Sequence, residues 1–245
     1  MVPASASGSA PAGDERVLSV LADGAVQIVA RIVPSSNLAL LVEVTSPEGR
    51  LDAVYKPEAG ERPLWDFDPG LHRREVAAYL LSDWLGWDLV PPTVAREDAP
   101  AGMGSVQLFI DSDPADHYFT LFRRAPETLA DLRALAVFDV VVNNADRKSG
   151  HVLRGPDGRI RGIDHGLCFA AQDKLRTVIW DFAGEPIPAD LLSGLAPLLS
   201  DVPAGLQTLI DEAELDALRA RVRRLLRTGV FPVDRSGRRV PWPLV

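Results

Sequence analysis

The hydrophobic pattern of this chain changes period near its middle, and that change limits its fold more than any single residue does. Residues 26–33, 38–44 and 51–55 are short β-branched runs separated by the turn compositions Pro34-Ser-Ser-Asn37 and Ser46-Pro-Glu-Gly49. They predict an antiparallel meander. Between residues 71 and 84, Val76, Tyr79, Leu80 and Trp84 recur at helical spacing, with Gly86 placed to end the helix. Strands are expected again around Thr93-Val94, residues 105–110 and residues 117–121. Beyond them Leu129, Leu132, Leu135, Phe138 and Val142 trace a helical stripe, with Thr128 and Asp131 spaced as a capping pair. Helical patterns follow over residues 191–199, 205–210 and 212–226. A β-rich half with one helix, joined to a mostly helical half, predicts an α+β chain of two lobes. The expected division is a tail at residues 1–14, a sheet lobe at 15–113 and a helical lobe at 114–245. The tail is rich in Ala, Ser, Gly and Pro and is expected to be disordered.

The long helix of the second half delivers the chain to residues 141–153, VVNNADRKSGHVL, which are followed by residues 159–166, RIRGIDHG. Asp146 and Asp164 each sit just past an apolar segment, and Gly155-Pro-Asp-Gly158 turns the chain between them. This layout is a hairpin presenting two carboxylates at one end. Phosphoryl transfer uses such a pair, one to orient the attacking hydroxyl and one to hold the metal on the phosphates. Upstream, Lys56 closes the third strand, where an ammonium can reach the α- and β-phosphates of a nucleotide, and Glu75 lies early in the next helix, where it can pair with that ammonium. Alone, they read more readily as a solvated lysine and as a glutamate favoured by the helix dipole. Their order with Asp146 and Asp164 argues for a joint role.

Composition excludes several alternatives. A net charge of −8 and a pI near 5.0 argue against a nucleic-acid-binding surface. The single Cys168 cannot form an internal disulfide and reads as a small core residue, which points to a reducing, cytoplasmic setting. No apolar run is long enough for a membrane span, and the N-terminal stretch lacks the apolar segment of a secretory signal. Hydrophobic residues make up 47% of the 245, ample for a sizeable core.

The order of these elements resembles the kinase-like fold, and the loop is similar to that of the phosphatidylinositol 3/4-kinase group and its HipA-type relatives. The matching residues are Asp146-Arg147, His151 five positions after Asp146, and Asp164-His-Gly166 in place of Asp-Phe-Gly. The chain is also similar to an actinobacterial family that is grouped with lipid kinases and has no assigned substrate. The resemblance implies that Asp146 is the catalytic aspartate, that Asp164 holds magnesium on the phosphates of ATP, and that Lys148, where the lipid kinases place a histidine, stabilises the transferring phosphoryl group. His151 stands where an asparagine oxygen is the usual second metal ligand. Imidazole suits manganese or zinc better than magnesium, so either the metal choice shifts from Mg, to Mn for example, or His151 has another role. Asp181, in Trp180-Asp-Phe182, is a second and weaker candidate for the metal loop.

No Gly-rich phosphate loop is present. Ser35, Ser36 and Asn37 occupy the corresponding hairpin turn, where they suit either phosphate binding or an ordinary turn. Gln107, Phe109 and Ile110 lie where the connection between lobes begins, and they read either as an adenine-binding edge or as a core strand. The expected activity is ATP-dependent phosphoryl transfer to a hydroxyl of a protein, a lipid headgroup or a small molecule. Two alternatives stay open: a nucleotide-binding pseudokinase that serves as a partner-binding module, and a nucleotidyl (AMP) transferase on the same fold.

Overall fold

The computed structural model describes residues 12–33 and 37–244. It begins with a helix, α1 (Ala12–Asp23), that starts inside the stretch expected as a tail, whose residues 1–11 lie outside the described residues. Val20 and Leu21 of α1 pack against Val42, Val44, Ala53, Tyr55 and Val106 of the sheet. Arg96 fixes the end of the helix: its Nη1 donates to the carbonyls of Leu21 and Gly24 at 3.0 and 2.9 Å, satisfying acceptors that a helix terminus leaves open.

The meander forms as the alternation predicts. Strands β1 (Ala25–Arg31), β2 (Leu40–Ser46) and β3 (Gly49–Pro57) pair antiparallel in sequence order. Strands β4 (Thr93–Arg96) and β5 (Gly104–Leu108) complete a five-stranded sheet of order β1-β2-β3-β5-β4. Buried Val42 and Val44 alternate with their half-buried neighbours along β2, whereas β1 is a mostly exposed edge. Between β3 and β4 runs α2 (Leu71–Trp84), buried on most of its circumference because its apolar residues reach both lobes. Leu71 packs with Ala145 and Ala170, while Ala77, Ala78 and Leu81 join the helical core.

The helical lobe is built around α4 (Leu129–Val142), whose Leu132, Leu135, Val137, Phe138, Val141 and Val142 are fully buried. It is preceded by α3 (Tyr118–Arg124), a segment expected as a strand. Tyr, Phe and Thr favour strands in isolation, but Thr120 Oγ1 accepts the His117 N–H at 3.0 Å and thereby starts a helix. The capping pair of Thr128 and Asp131 does not form either. A 3-10 turn at Pro126–Thr128 leads directly into α4, and Thr128 Oγ1 donates to the Ala125 carbonyl. The Asp131 carboxylate instead accepts the Ile160 N–H at 3.1 Å, linking α4 to the hairpin.

That hairpin is β6 (Val152–Arg154) and β7 (Ile160–Gly162), paired antiparallel across residues 155–158. The chain then closes with α5 (Ala189–Leu195), α6 (Leu206–Leu209), α7 (Glu212–Thr228) and an extended C-terminal segment. In α7, Asp211 accepts the Glu214 N–H and Glu214 accepts the Asp211 N–H, a reciprocal cap at the N-terminus. The architecture is α+β: an antiparallel-sheet lobe with α2 against it, and a mostly helical lobe. No described helix is long and apolar enough to cross a membrane.

Candidate active site

The end of β3, the start of α2, the loop after α4 and the loop after β7 meet in one interlobe cleft. Lys56 Nζ lies 2.5 Å from Glu75 Oε1 and 2.8 Å from Asp164 Oδ1, so one ammonium joins both lobes. Its strand can sit there only because β5 offers a glycine. A Cβ on Gly104 would come within 2.4 Å of the Lys56 carbonyl oxygen. The second oxygen of Glu75 accepts the His165 N–H at 2.9 Å, tying α2 to the loop that carries Asp164. Arg74 adds a further tie, donating to the Cys168 carbonyl at 2.7 Å and pairing with Glu214 of α7.

The register of α2 is set by a residue that the sequence reading did not single out. Gly70, at the N-cap, has no side chain with which to satisfy the first helical N–H groups. Glu61 supplies the acceptor from the preceding loop: its carboxylate takes the N–H of Gly70 at 2.8 Å and of His72 at 2.9 Å, and its Oε1 lies 3.0 Å from His72 Nδ1. Burial works against its charge, but these hydrogen bonds outweigh burial and bring its pKa down to about 2.

Asp164 adopts a left-handed backbone conformation, φ 62°, which is uncommon outside glycine and marks a position fixed by its surroundings. Its side chain is 47% exposed, against 3% for Glu75, so it forms the solvent-facing side of the triad with Lys56. Burial opposes ionisation at both Lys56 and Asp164, yet their mutual attraction dominates. The lysine is raised and the aspartate lowered from their ordinary values, with Glu75 and His151 adding to the respective shifts.

Asp146 is positioned from α4. Asn143 ends that helix with φ 55°, its Nδ2 donating to the carbonyls of Ala170 and Gln172 and its Oδ1 accepting the Lys174 N–H. Asn144 Oδ1 then accepts the Asp146 N–H at 2.9 Å, while its own amide donates to Asp139. Arg147 turns inward instead of pairing with Asp146. It is fully buried, pairs through Nε and Nη2 with Asp139 at 3.0 Å, and donates to the Ile163 carbonyl at 2.6 Å. Its Nη2 also donates to His165 Nε2 at 2.7 Å, which keeps that imidazole neutral. Burial and Arg147 push the His165 pKa well down. The buried Asp139–Arg147 pair therefore braces both acidic loops from behind.

Lys148 Nζ sits 3.1 Å from Asp146 Oδ2, and His151 Nε2 sits 3.3 Å from Asp164 Oδ2. Burial raises the Asp146 pKa from its ordinary value despite Lys148. It lowers His151 to about 4 despite Asp164. His151 is thus a neutral imidazole beside a carboxylate, a donor set that suits a divalent cation. Among the described residues no three such side chains converge into a closed metal cage. Two protein ligands suffice for a cation that also binds substrate phosphates.

The cleft encloses about 60 Å³ and is lined by Asn37, Glu61, Lys56, Glu75, Asp146 and Asp164, among others. Ser35 and Ser36 lie outside the described residues. Asn37 accepts the Arg62 N–H at 2.9 Å. Gln107 is buried in the sheet with its amide on Thr93 Oγ1, Phe109 is 41% exposed, and neither they nor Ile110 line the cleft. The weaker metal-loop candidate, Asp181, accepts from the Tyr118 hydroxyl at 2.6 Å within the helical lobe.

A sheet lobe and a helical lobe meeting at these residues define a two-lobed, protein-kinase-like fold. Two solved structures share it: hydra Fam20 with sugar, at 14% identity and TM-score 0.53 over 86% of both chains, and the Helicobacter pylori proinflammatory kinase CtkA, at 10% identity and TM-score 0.50 over 86% of this chain and 94% of that one. The chain belongs to the family of protein Rv2133c of Mycobacterium tuberculosis, to which it is 43% identical over 265 aligned positions, covering 92% of this chain and 94% of that protein. It is also 30% identical over 149 positions to phosphatidylinositol 4-kinase gamma 4 of Oryza sativa subsp. japonica, matching 52% of this chain but 26% of that kinase. No protein-family model matches.

Proposed function

We propose that the chain is an ATP-dependent phosphotransferase acting on a hydroxyl acceptor. The observation that carries this reading is Lys56 bridging Glu75 and Asp164 in the same cleft that Asp146 lines. In this reading Lys56 donates to the α- and β-phosphates and Glu75 keeps its ammonium in place. Asp164 and His151 would hold Mg or Mn, which would supply charge neutralisation.

Asp146 is assigned to the acceptor. The acceptor's hydroxyl oxygen attacks the γ-phosphorus, the bond from that phosphorus to the β-bridging oxygen breaks, the proton passes to the Asp146 carboxylate, and ADP leaves. A carboxylate whose burial raises its proton affinity is suited to accept that proton. The Lys148 ammonium beside it supplies positive charge where the transferring group is most anionic.

Incubation with γ- or α-labelled ATP and Mg or Mn, followed by separation of protein, lipid and soluble products, tests the reading. Label transfer or release from γ-ATP alone supports phosphoryl transfer and identifies the acceptor class by the fraction labelled. Transfer from α-ATP indicates nucleotidyl transfer, and absence of both with retained ATP binding indicates a pseudokinase.

A further inference from the structure

A second cavity, far larger than the cleft, opens in the helical lobe between α7, the segment after the metal loop and the C-terminal segment. It encloses about 770 Å³, within the range of small-molecule sites. Its lining is two-sided. Leu175, Trp180, Leu225 and Phe231 supply apolar surface, and Arg221, Arg224, Arg235 and Arg239 supply positive charge against only Asp173 and Asp234.

Arg221 is the informative member. Its Nε donates to the Val141 carbonyl at 2.9 Å and its Nη1 to the Ala170 carbonyl at 3.3 Å, but its buried Nη2 has no partner among the described residues. The acids that act on it electrostatically, Asp173 and Glu214, are each engaged by another arginine, Arg239 at 2.8 Å and Arg74 at 2.7 Å. Arg221 is only partly buried, but its buried Nη2 is an orphaned donor, and a guanidinium so placed with no carboxylate of its own is costly unless an anion completes it. Arg224 and Arg235 likewise have no acidic partner among the described residues and are exposed at the cavity.

We infer that this cavity binds an anionic amphiphile, its phosphate or carboxylate group on Arg221 with Arg224 and Arg235, and its apolar body against Trp180 and Phe231. This site is separate from the cleft, since none of its lining residues is shared with the Lys56 cavity.

Calorimetric titration of the full chain at constant ionic strength tests it, with n-octyl phosphate, octanoate, n-octanol and inorganic phosphate as probes. Octyl phosphate or octanoate is expected to bind with one-to-one stoichiometry, at least tenfold more tightly than octanol or inorganic phosphate. R221M is the direct variant, but Arg221 also holds two backbone carbonyls, so R224E/R235E at exposed positions serves as the second. Either is expected to weaken binding at least tenfold, and K56M is expected to leave it within twofold. The inference is overturned if neither amphiphile saturates, if octanol or inorganic phosphate binds equally well, if R224E/R235E binds normally, or if K56M abolishes binding.

Discussion

Asp139 and Arg147, both fully buried, form an ion pair behind the loop that carries Asp146, with Asp139 Oδ1 also accepting from Asn144 and Asp139 Oδ2 from Thr177. Removing one partner of such a pair leaves an uncompensated buried charge, which typically costs about 3–5 kcal/mol. Asp139→Ala should therefore lose stability of that order in urea denaturation. Asp139→Leu with Arg147→Met should recover much of it without recovering activity, because the donor to the Ile163 carbonyl and the acceptor for the Asn144 amide are not replaced. A single variant within about 1 kcal/mol of wild type would show that the pair does not brace the loops.

The Lys56–Glu75 contact predicts a division of labour. Lys56→Met removes the phosphate donor and should lower ATP affinity, whereas Glu75→Gln keeps a hydrogen-bond acceptor but loses the charge. Both should reduce turnover by about tenfold or more, the scale of one charge-assisted hydrogen bond. Steady-state kinetics on the labelled acceptor checks this. Full activity in Glu75→Gln would mean that the pair is structural.

Glu61 gives a pH dependence with a definite sign. Its folded pKa, about 2, lies below its ordinary 4.5, so its contribution is present above pH 4.5 and is lost as pH falls toward 2. Allowing for solvent screening at a partly exposed site, that contribution is about 1–2 kcal/mol. Glu61→Gln should lower Tm at pH 7 and flatten the part of the acid decline between pH 4.5 and 2. A variant whose acid profile parallels wild type throughout would remove Glu61 as the anchor of α2.

Asn143 combines a left-handed backbone with three side-chain hydrogen bonds to residues 170–174. Asn143→Gly removes the backbone strain but also the three bonds, and Asn143→Ala removes the bonds and keeps the strain. Both should destabilise, with Ala worse than Gly by about 1 kcal/mol. Equal thermal stability of the two variants would count against the conformational part of this explanation.

Much of the fold was readable in the period of the apolar residues, because Val42 and Val44 alternate and Leu132, Leu135 and Phe138 recur with the geometry that buries them. The segment containing Tyr118 and Thr120 was not, since its composition favours a strand and a single side-chain cap decides the outcome. The start of α1 was hidden in a composition typical of tails. In the site, the order of Lys56, Glu75, Asp146 and Asp164 was legible, and the structure brings all four together. Glu61 was not legible, because it caps a helix that starts ten residues later and nothing local in the sequence records that contact. Nor was Asp139, whose place in an apolar helix gives no sign that Arg147 folds back onto it.

The central claim, that the cleft of Lys56 and Asp164 is a nucleotide–metal site, is tested most directly by calorimetric titration of ATP with Mg or Mn into wild type, K56M and D164N. The account predicts metal-dependent, one-to-one binding to wild type, at least tenfold weaker in K56M and without metal dependence in D164N. Absence of binding with either metal, or binding that both substitutions leave unchanged, would contradict it.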